Sequence, residues 1–216
     1  MQLCNEPQNS TPAVANCLER YGNRLQFGTT FNAGMIAKYS AYPERCIRGS
    51  APTINIVKQA YGTDALNAWL ILTLEYINKM SGVKTKLDEL QLEALSSAII
   101  ANEDFQALKV TDIMLFVNQF VTGKYGHFYG AVDAQVIGQA LYQYIAWRRQ
   151  QLSLFAREEF QQHQRLQREQ WLNDPRNISR ETYLHNELRR KQNLHRKVRY
   201  RNLAQKRVKF SQSPRR

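Results

Sequence analysis

No proline interrupts residues 53–174; the six prolines of the chain stand at 7, 12, 43, 52, 175 and 214. Proline removes a backbone donor and breaks the interior of a helix, so a proline-free stretch of this length suits continuous helices. Strands are not signalled there: no Asn-Gly or Asp-Gly turn separates alternating apolar runs, and β-branched residues are scattered. The expected fold is all-α, a compact multi-helix domain with a long projecting helix and a basic helical C-terminal tail. A hydrophobic share of 43% is enough to build its core.

Start and stop signals divide the chain. Ser10 before Thr11-Pro12 opens a short helix that Gly22 closes, and residues 23–49, with three glycines and Pro43, read as short helix and loop. Ser50, with Pro52 in the first turn, opens a helix ending at Gly62. Thr63 then caps a helix whose Leu66, Trp69, Leu70, Leu72, Leu74 and Ile77 cover most of its circumference, as expected of the central core helix. Residues 86–102 form another, with Leu87, Leu90, Leu92, Leu95 and Ile99 as its buried stripe. Thr111 and Asp112 open the next, and Gly123 stands where a C-terminal glycine belongs. Asp133 caps a long helix reaching Trp171, with Ile137, Leu141, Tyr144, Ile145, Leu152 and Phe155 as the apolar face of its first half. Its Gln-rich second half has too few apolar residues to bury itself. Ser179 caps a last helical stretch before an irregular SQSPRR end. The implied organisation is an N-terminal helix and irregular segment (1–49), a helical core (50–155), a projecting polar helix (156–175) and a basic helical tail (176–216).

The charge is distributed unevenly. Residues 1–175 hold sixteen basic and sixteen acidic side chains, whereas 176–216 hold fourteen basic ones against Glu181 and Glu187 alone, so the whole net charge of +12 lies in the tail. A neutral body with a concentrated basic segment points to a polyanion, first of all nucleic acid. The candidate phosphate contacts are Arg189, Arg190, Lys191, Arg196, Lys197, Arg199, Arg201, Lys206, Arg207 and Lys209. Leu184, Leu188, Leu194, Val198 and Leu203 recur beside them as a narrow apolar edge, too thin for a membrane helix to insert deeply. No base-reading motif accompanies the charge, so binding is expected to be largely independent of sequence. The tail also fits a solvated, solubilising segment.

Residues 123–130, GKYGHFYG, spend three of the chain's ten glycines on one short stretch. They read as a turn between core helices, or as a second contact in which Tyr125, His127 and Tyr129 offer rings for stacking and Lys124 meets a phosphate. A nucleotide cradle is the weakest reading, since neither G-x-x-x-x-G-K-[ST] nor a G-x-G-x-x-G after a strand is present. No catalytic constellation assembles. His127, His163, His185 and His195 lack metal-helix spacing, and Cys4, Cys17 and Cys46 have none of the paired spacing of a zinc or redox site. The adjacent pairs Glu103-Asp104 and Glu158-Glu159 point about 100° apart on a helix and suit solvent better than acid–base work. A non-enzymatic protein without metal or cofactor is expected. The odd number of cysteines and the absence of a secretory signal point to reduced thiols in the cytoplasm, with no membrane partner.

Residues 110–141 combine a Leu/Phe-rich helix, the G-x-Y-G-x-F-Y-G run at Gly123, Tyr125, Gly126, Phe128, Tyr129 and Gly130, and a cap at Asp133. That pattern resembles uncharacterised small α-helical proteins of phages and conjugative elements from Bacteroides-type bacteria. The helical body with its basic tail is also similar in outline to phage replicative-helicase loaders. The resemblance implies a mobile-element protein in a bacterial host cell and an accessory role in replication, with a replicative helicase as protein partner. The competing expectation is a structural or assembly protein of a virion or other large complex, whose tail contacts a partner subunit or the genome.

Overall fold

The computed structural model describes residues 11–82, 84–126, 132–174 and 180–211, the last segment with side chains over 182–197. In chain order the helices are α1 (Pro12–Tyr21), α2 (Arg24–Thr30), a 3₁₀ turn (Ala33–Met35), α3 (Ile36–Ser40), α4 (Pro43–Arg48), α5 (Ile54–Tyr61) and α6 (Thr63–Met80). They continue with α7 (Glu89–Ala101), α8 (Glu103–Gln106), α9 (Val110–Val121), α10 (Ala134–Asn173) and α11 (Arg180–Ser211). The fold is all-α, with no strand among the described residues. The chain divides into two compact units, Met1–Phe155 and Ala156–Arg216.

The first unit is built around α9. Nine of its twelve residues are buried, from Val110 through Val117 and again at Phe120. Burial on so many sides requires neighbours around the helix, and α3, α4 and α6 pack against it. The helix expected to be central, α6, packs on α5, α7 and α9, but its apolar residues do not cover its circumference as expected. That helix buries one side through Leu66, Trp69, Leu70, Leu74 and Ile77 but leaves Leu72 61% exposed. In α7 the stripe is Leu92, Leu95, Ile99 and Ile100; Leu90 faces solvent, and Leu87 is buried ahead of the helix. Along α10, burial stops after Ile145, so Leu152 and Phe155 are not core residues.

Several boundaries have clear local causes. Gly22 (φ 67°) and Gly62 (φ 90°) take left-handed conformations that end α1 and α5. Asn23 and Asp88 cap α2 and α7 with reciprocal capping boxes, and the Asp133 carboxylate accepts the Val136 N–H at 2.8 Å.

The helix expected to open at Ser50 begins at Ile54 instead. The Ile54 N–H donates to the Leu108 carbonyl at 2.8 Å and the Val110 N–H to the Pro52 carbonyl at 3.0 Å. This antiparallel bridge between Thr53 and Lys109 holds the residues before α5 outside the helix, and the Thr53 hydroxyl caps it by accepting the Ile56 N–H. Gly62, not Thr63, precedes α6.

Several buried polar groups are satisfied by partners distant in the chain. Trp69 Nε1 donates to the Phe31 carbonyl at 2.7 Å, and the Asn78 side chain brackets Leu87 by bonding both its N–H and its carbonyl. The aromatic side chains of Phe27, Phe31, Tyr61 and Trp69 form one cluster between α2, α5 and α6, with Phe27 tilted against Phe31 and Tyr61 and edge-on to Trp69.

Candidate nucleic-acid interface

The α11 helix carries the tail charge. Arg189, Arg190, Lys191, Arg196 and Lys197 are all exposed. At 3.6 residues per turn, Arg189, Arg190, Asn193, Arg196 and Lys197 share an arc of about 120°. Asn186, Arg189, Arg190, Asn193 and Lys197 line a shallow surface depression there, with Leu194 at its edge. Lys191 lies outside that arc and faces Glu187 at 3.7 Å. Leu184 and Leu188, 48% and 59% exposed, fall on the other side of the helix, and Tyr183 and Leu194, 60% and 63% exposed, flank the arc. The backbone at Arg199, Arg201, Lys206, Arg207 and Lys209 continues the same helix, while their side chains, like Ser179, lie outside the described residues. Such a surface supplies several guanidinium and ammonium donors along one line, the arrangement that suits successive phosphates.

The second candidate contact is split. Gly123 (φ 81°) and Gly126 (φ 110°) turn the chain after α9, as a helix-ending glycine pair should. The Tyr125 ring packs on Phe116 and Phe120, with centroids 5.7 and 6.4 Å away, and its hydroxyl donates to Gln119 Oε1 at 2.8 Å. It anchors the turn to the core, as the turn reading of this segment has it. Lys124 is exposed, but its ammonium sits 3.5 Å from the centroid of the Trp147 ring. His127 and Tyr129 lie outside the described residues.

A buried ionic cluster escaped the sequence reading. Asp112 lies in the first turn of α9 and is fully buried. Its Oδ1 accepts the Tyr144 hydroxyl at 2.7 Å, and its Oδ2 accepts both Arg148 Nε and the Lys109 N–H at 2.9 Å. Burial raises the carboxyl pKa, and Arg148 opposes that shift. Only donors face the carboxyl group, so the site is shaped for the ionised form. Burial also pushes the Tyr144 hydroxyl up and the Lys109 ammonium down.

Lys109 Nζ donates to the carbonyls of Ile47, at 2.7 Å, and Gly49, while the Thr111 hydroxyl donates to that of Cys46 at 2.8 Å. The start of α9 thus satisfies the orphan carbonyls at the end of α4. Thr111 and Asp112, expected to open the helix, lie in its first turn as buried residues that fasten two elements together. The sequence signal was the pair of spacings Lys109/Asp112 and Tyr144/Arg148, one helical turn each.

Among the described residues no group of three His, Cys, Asp or Glu side chains comes together to hold a metal ion, and no helix is long and apolar enough to cross a membrane. Cys17 and Cys46 are free and buried. Cys4 lies outside the described residues. Asp104 faces Arg149 at 3.8 Å on the surface.

Fold and surface together define an all-α protein with a helical body and a basic helical segment. Residues 90–195 are similar to DUF6633, a family of unknown function. That stretch spans most of α7, all of α8, α9 and α10, and α11 as far as His195. No curated protein and no solved structure matches the chain.

Proposed function

We propose that the protein binds nucleic acid without catalysing a reaction on it, through phosphate contacts made by α11. One observation carries this reading: Arg189, Arg190, Arg196 and Lys197 are exposed on a single arc of a continuous helix, in the segment that holds the chain's whole net charge. Phosphate neutralisation releases condensed counterions, so affinity should depend steeply on salt and weakly on sequence. A narrower form of the proposal has the helical body docking on another protein of a replication apparatus.

The test is fluorescence anisotropy with labelled single- and double-stranded DNA and RNA, at salt concentrations between 50 and 200 mM. Six to ten phosphate contacts would weaken binding by roughly 10³–10⁵-fold over that range. Changing Arg189, Arg190, Arg196 and Lys197 together to Gln should flatten the log–log salt slope on duplex DNA by about 3.6, at about 0.9 for each phosphate no longer neutralised. Absence of salt-dependent binding by the unaltered chain to all four polymers overturns the proposal.

The exposed Tyr183, Leu184, Leu188 and Leu194 favour a second reading, in which α11 is an assembly arm that buries its apolar side on another subunit. Under that reading, sedimentation shows oligomers that persist at high salt and disappear on Leu184→Ser with Leu188→Ser.

A further inference from the structure

A cleft of about 380 Å³ opens between α1, α3 and α4, within the size range of small-ligand sites. Three cations line it, Arg20, Lys38 and Arg45, and among the described residues no carboxylate does. Two acids adjoin lining residues in sequence, Glu19 and Glu44, and Glu44 is engaged by Arg48 at 2.7 Å. Like charges gathered around one concavity leave a positive potential that an anion would neutralise.

The other walls are aromatic. Tyr39 lies nearly parallel to Phe31, with centroids 5.6 Å apart. Tyr42 is 57% exposed, and the Arg45 guanidinium sits 4.8 Å from its ring centroid. Tyr21 completes that side, with the Arg20 guanidinium 5.5 Å from its ring. Planar rings and guanidinium groups stack on a nucleobase whatever its identity, and the same guanidinium groups form charge-assisted bonds to phosphate.

The cleft is also held in shape. Lys109 and Thr111 fix the carbonyls at the end of α4, and Arg20 donates to the Ser50 hydroxyl across the rim. The larger cavity of the first unit, about 570 Å³ between α2 and α6, shows the contrast. Its charges balance, Arg24 and Lys79 against Asp64 and Glu75, so it has no excess to select an anion.

We infer that the α1–α3–α4 cleft binds a nucleoside phosphate, free or as one unit of a single strand, with the phosphate held among Arg20, Lys38 and Arg45 and the base against Tyr42. This site belongs to the helical body and does not require the α11 reading to be correct.

The experiment is isothermal titration of the full chain with AMP, adenosine, inorganic phosphate and a short oligo(dA). It is repeated on the variant with Arg189, Arg190, Arg196 and Lys197 changed to Gln, on Lys38→Gln with Arg45→Gln, and on Tyr42→Ala. Lys38, Tyr42 and Arg45 are exposed, and circular dichroism melts confirm that each variant is folded. AMP should bind the unaltered and tail-neutralised chains equally. Lys38→Gln with Arg45→Gln should weaken it at least about tenfold, and Tyr42→Ala at least about fivefold.

Adenosine and phosphate alone should each bind about tenfold more weakly than AMP, because each keeps only part of the recognised surface. Oligo(dA) binding by the tail-neutralised chain that disappears on Lys38→Gln with Arg45→Gln assigns the site to a strand, whereas AMP binding alone assigns it to free nucleotide. AMP that does not bind at millimolar concentration, binds no better than phosphate, or is indifferent to the cleft variants overturns the inference. Those outcomes leave the salt dependence of the tail untouched, so the two proposals fail separately.

Discussion

Arg148 Nε donates to Asp112 Oδ2 at 2.9 Å, joining α10 to α9 through a carboxylate with no exposed surface. The Tyr144 hydroxyl, one turn earlier on α10, takes the other oxygen of the same group. A buried charge is tolerated when its partners are complete, and it becomes costly when one is removed. Asp112→Ala leaves Arg148, the Tyr144 hydroxyl and the Lys109 N–H without their acceptor and should cost about 3–5 kcal/mol in urea unfolding. Asp112→Leu combined with Tyr144→Phe and Arg148→Met removes the donors of α10 as well, and should recover most of that loss. A triple variant as unstable as Asp112→Ala would show that the cost comes from packing and not from stranded polar groups.

Two glycines should respond in opposite directions to the same added methyl group. At Gly49 a Cβ would lie 2.3 Å from the Arg45 carbonyl oxygen, a backbone atom that cannot swing aside. Gly49→Ala should therefore destabilise by about 1–3 kcal/mol, since the end of α4 has to move. At Gly138, inside α10, a Cβ meets nothing within 4 Å. Gly138→Ala should stabilise by about 0.5–1 kcal/mol through helix propensity. Thermal melts of the two variants measure both signs.

Alkali should weaken the first unit through its buried thiol. Burial, aided by the Asp112 charge, pushes Cys46 from an ordinary 9.0 up to about 11. Below pH 9 the thiol is neutral in both folded and unfolded chains, and its contribution to stability is complete. Between about pH 9 and 11 only the unfolded chain ionises, so that contribution falls away, on the order of 2 kcal/mol in all. Unfolding free energies measured from pH 8 to 11 should decline, and less so in Cys46→Ala relative to its own value at pH 8. Equal slopes for the two proteins would exclude Cys46 as a source.

The Tyr125 ring should matter for stability alone. Tyr125→Ala removes a half-buried ring from Phe116 and Phe120 and should cost about 2–3 kcal/mol. Tyr125→Phe loses only the bond to Gln119, worth about 1 kcal/mol. Both should bind nucleic acid as the unaltered chain does in the anisotropy assay. A loss of affinity at unchanged stability would return Tyr125 to the interface.

Much of the fold was legible because its signals are local. Gly22, Gly62, Gly123 and Asp133 each mark the end or start of a helix through their own backbone or side-chain chemistry. What the sequence hid depends on distant partners. Ser50 and Pro52 look like a helix start, and only the pairing with Leu108 and Val110 keeps them out of one. Leu72 and Leu90 belong to apolar runs yet face solvent, because composition does not say which side of a helix meets the core.

The candidate sites divide in the same way. The tail charge is a property of composition and needs no fold to be seen. Arg20, Lys38 and Arg45 are scattered through segments with no motif, and they converge because α3 and α4 pack on α9 while α1 packs on α5.

The pairing of Ile54 with Leu108 and Val110 with Pro52 also bears on the order in which the molecule is made. A ribosome delivers α5 well before it delivers Leu108, so the bonds that set the start of α5 are unmade until the chain beyond α8 has emerged. Closing so long a loop costs entropy that local helix formation does not return. The first unit should then collapse late in synthesis, when α9 arrives to close the ring. Nascent chains stalled with residue 100 just outside the tunnel should be cut readily by protease, and those stalled with residue 155 outside should resist.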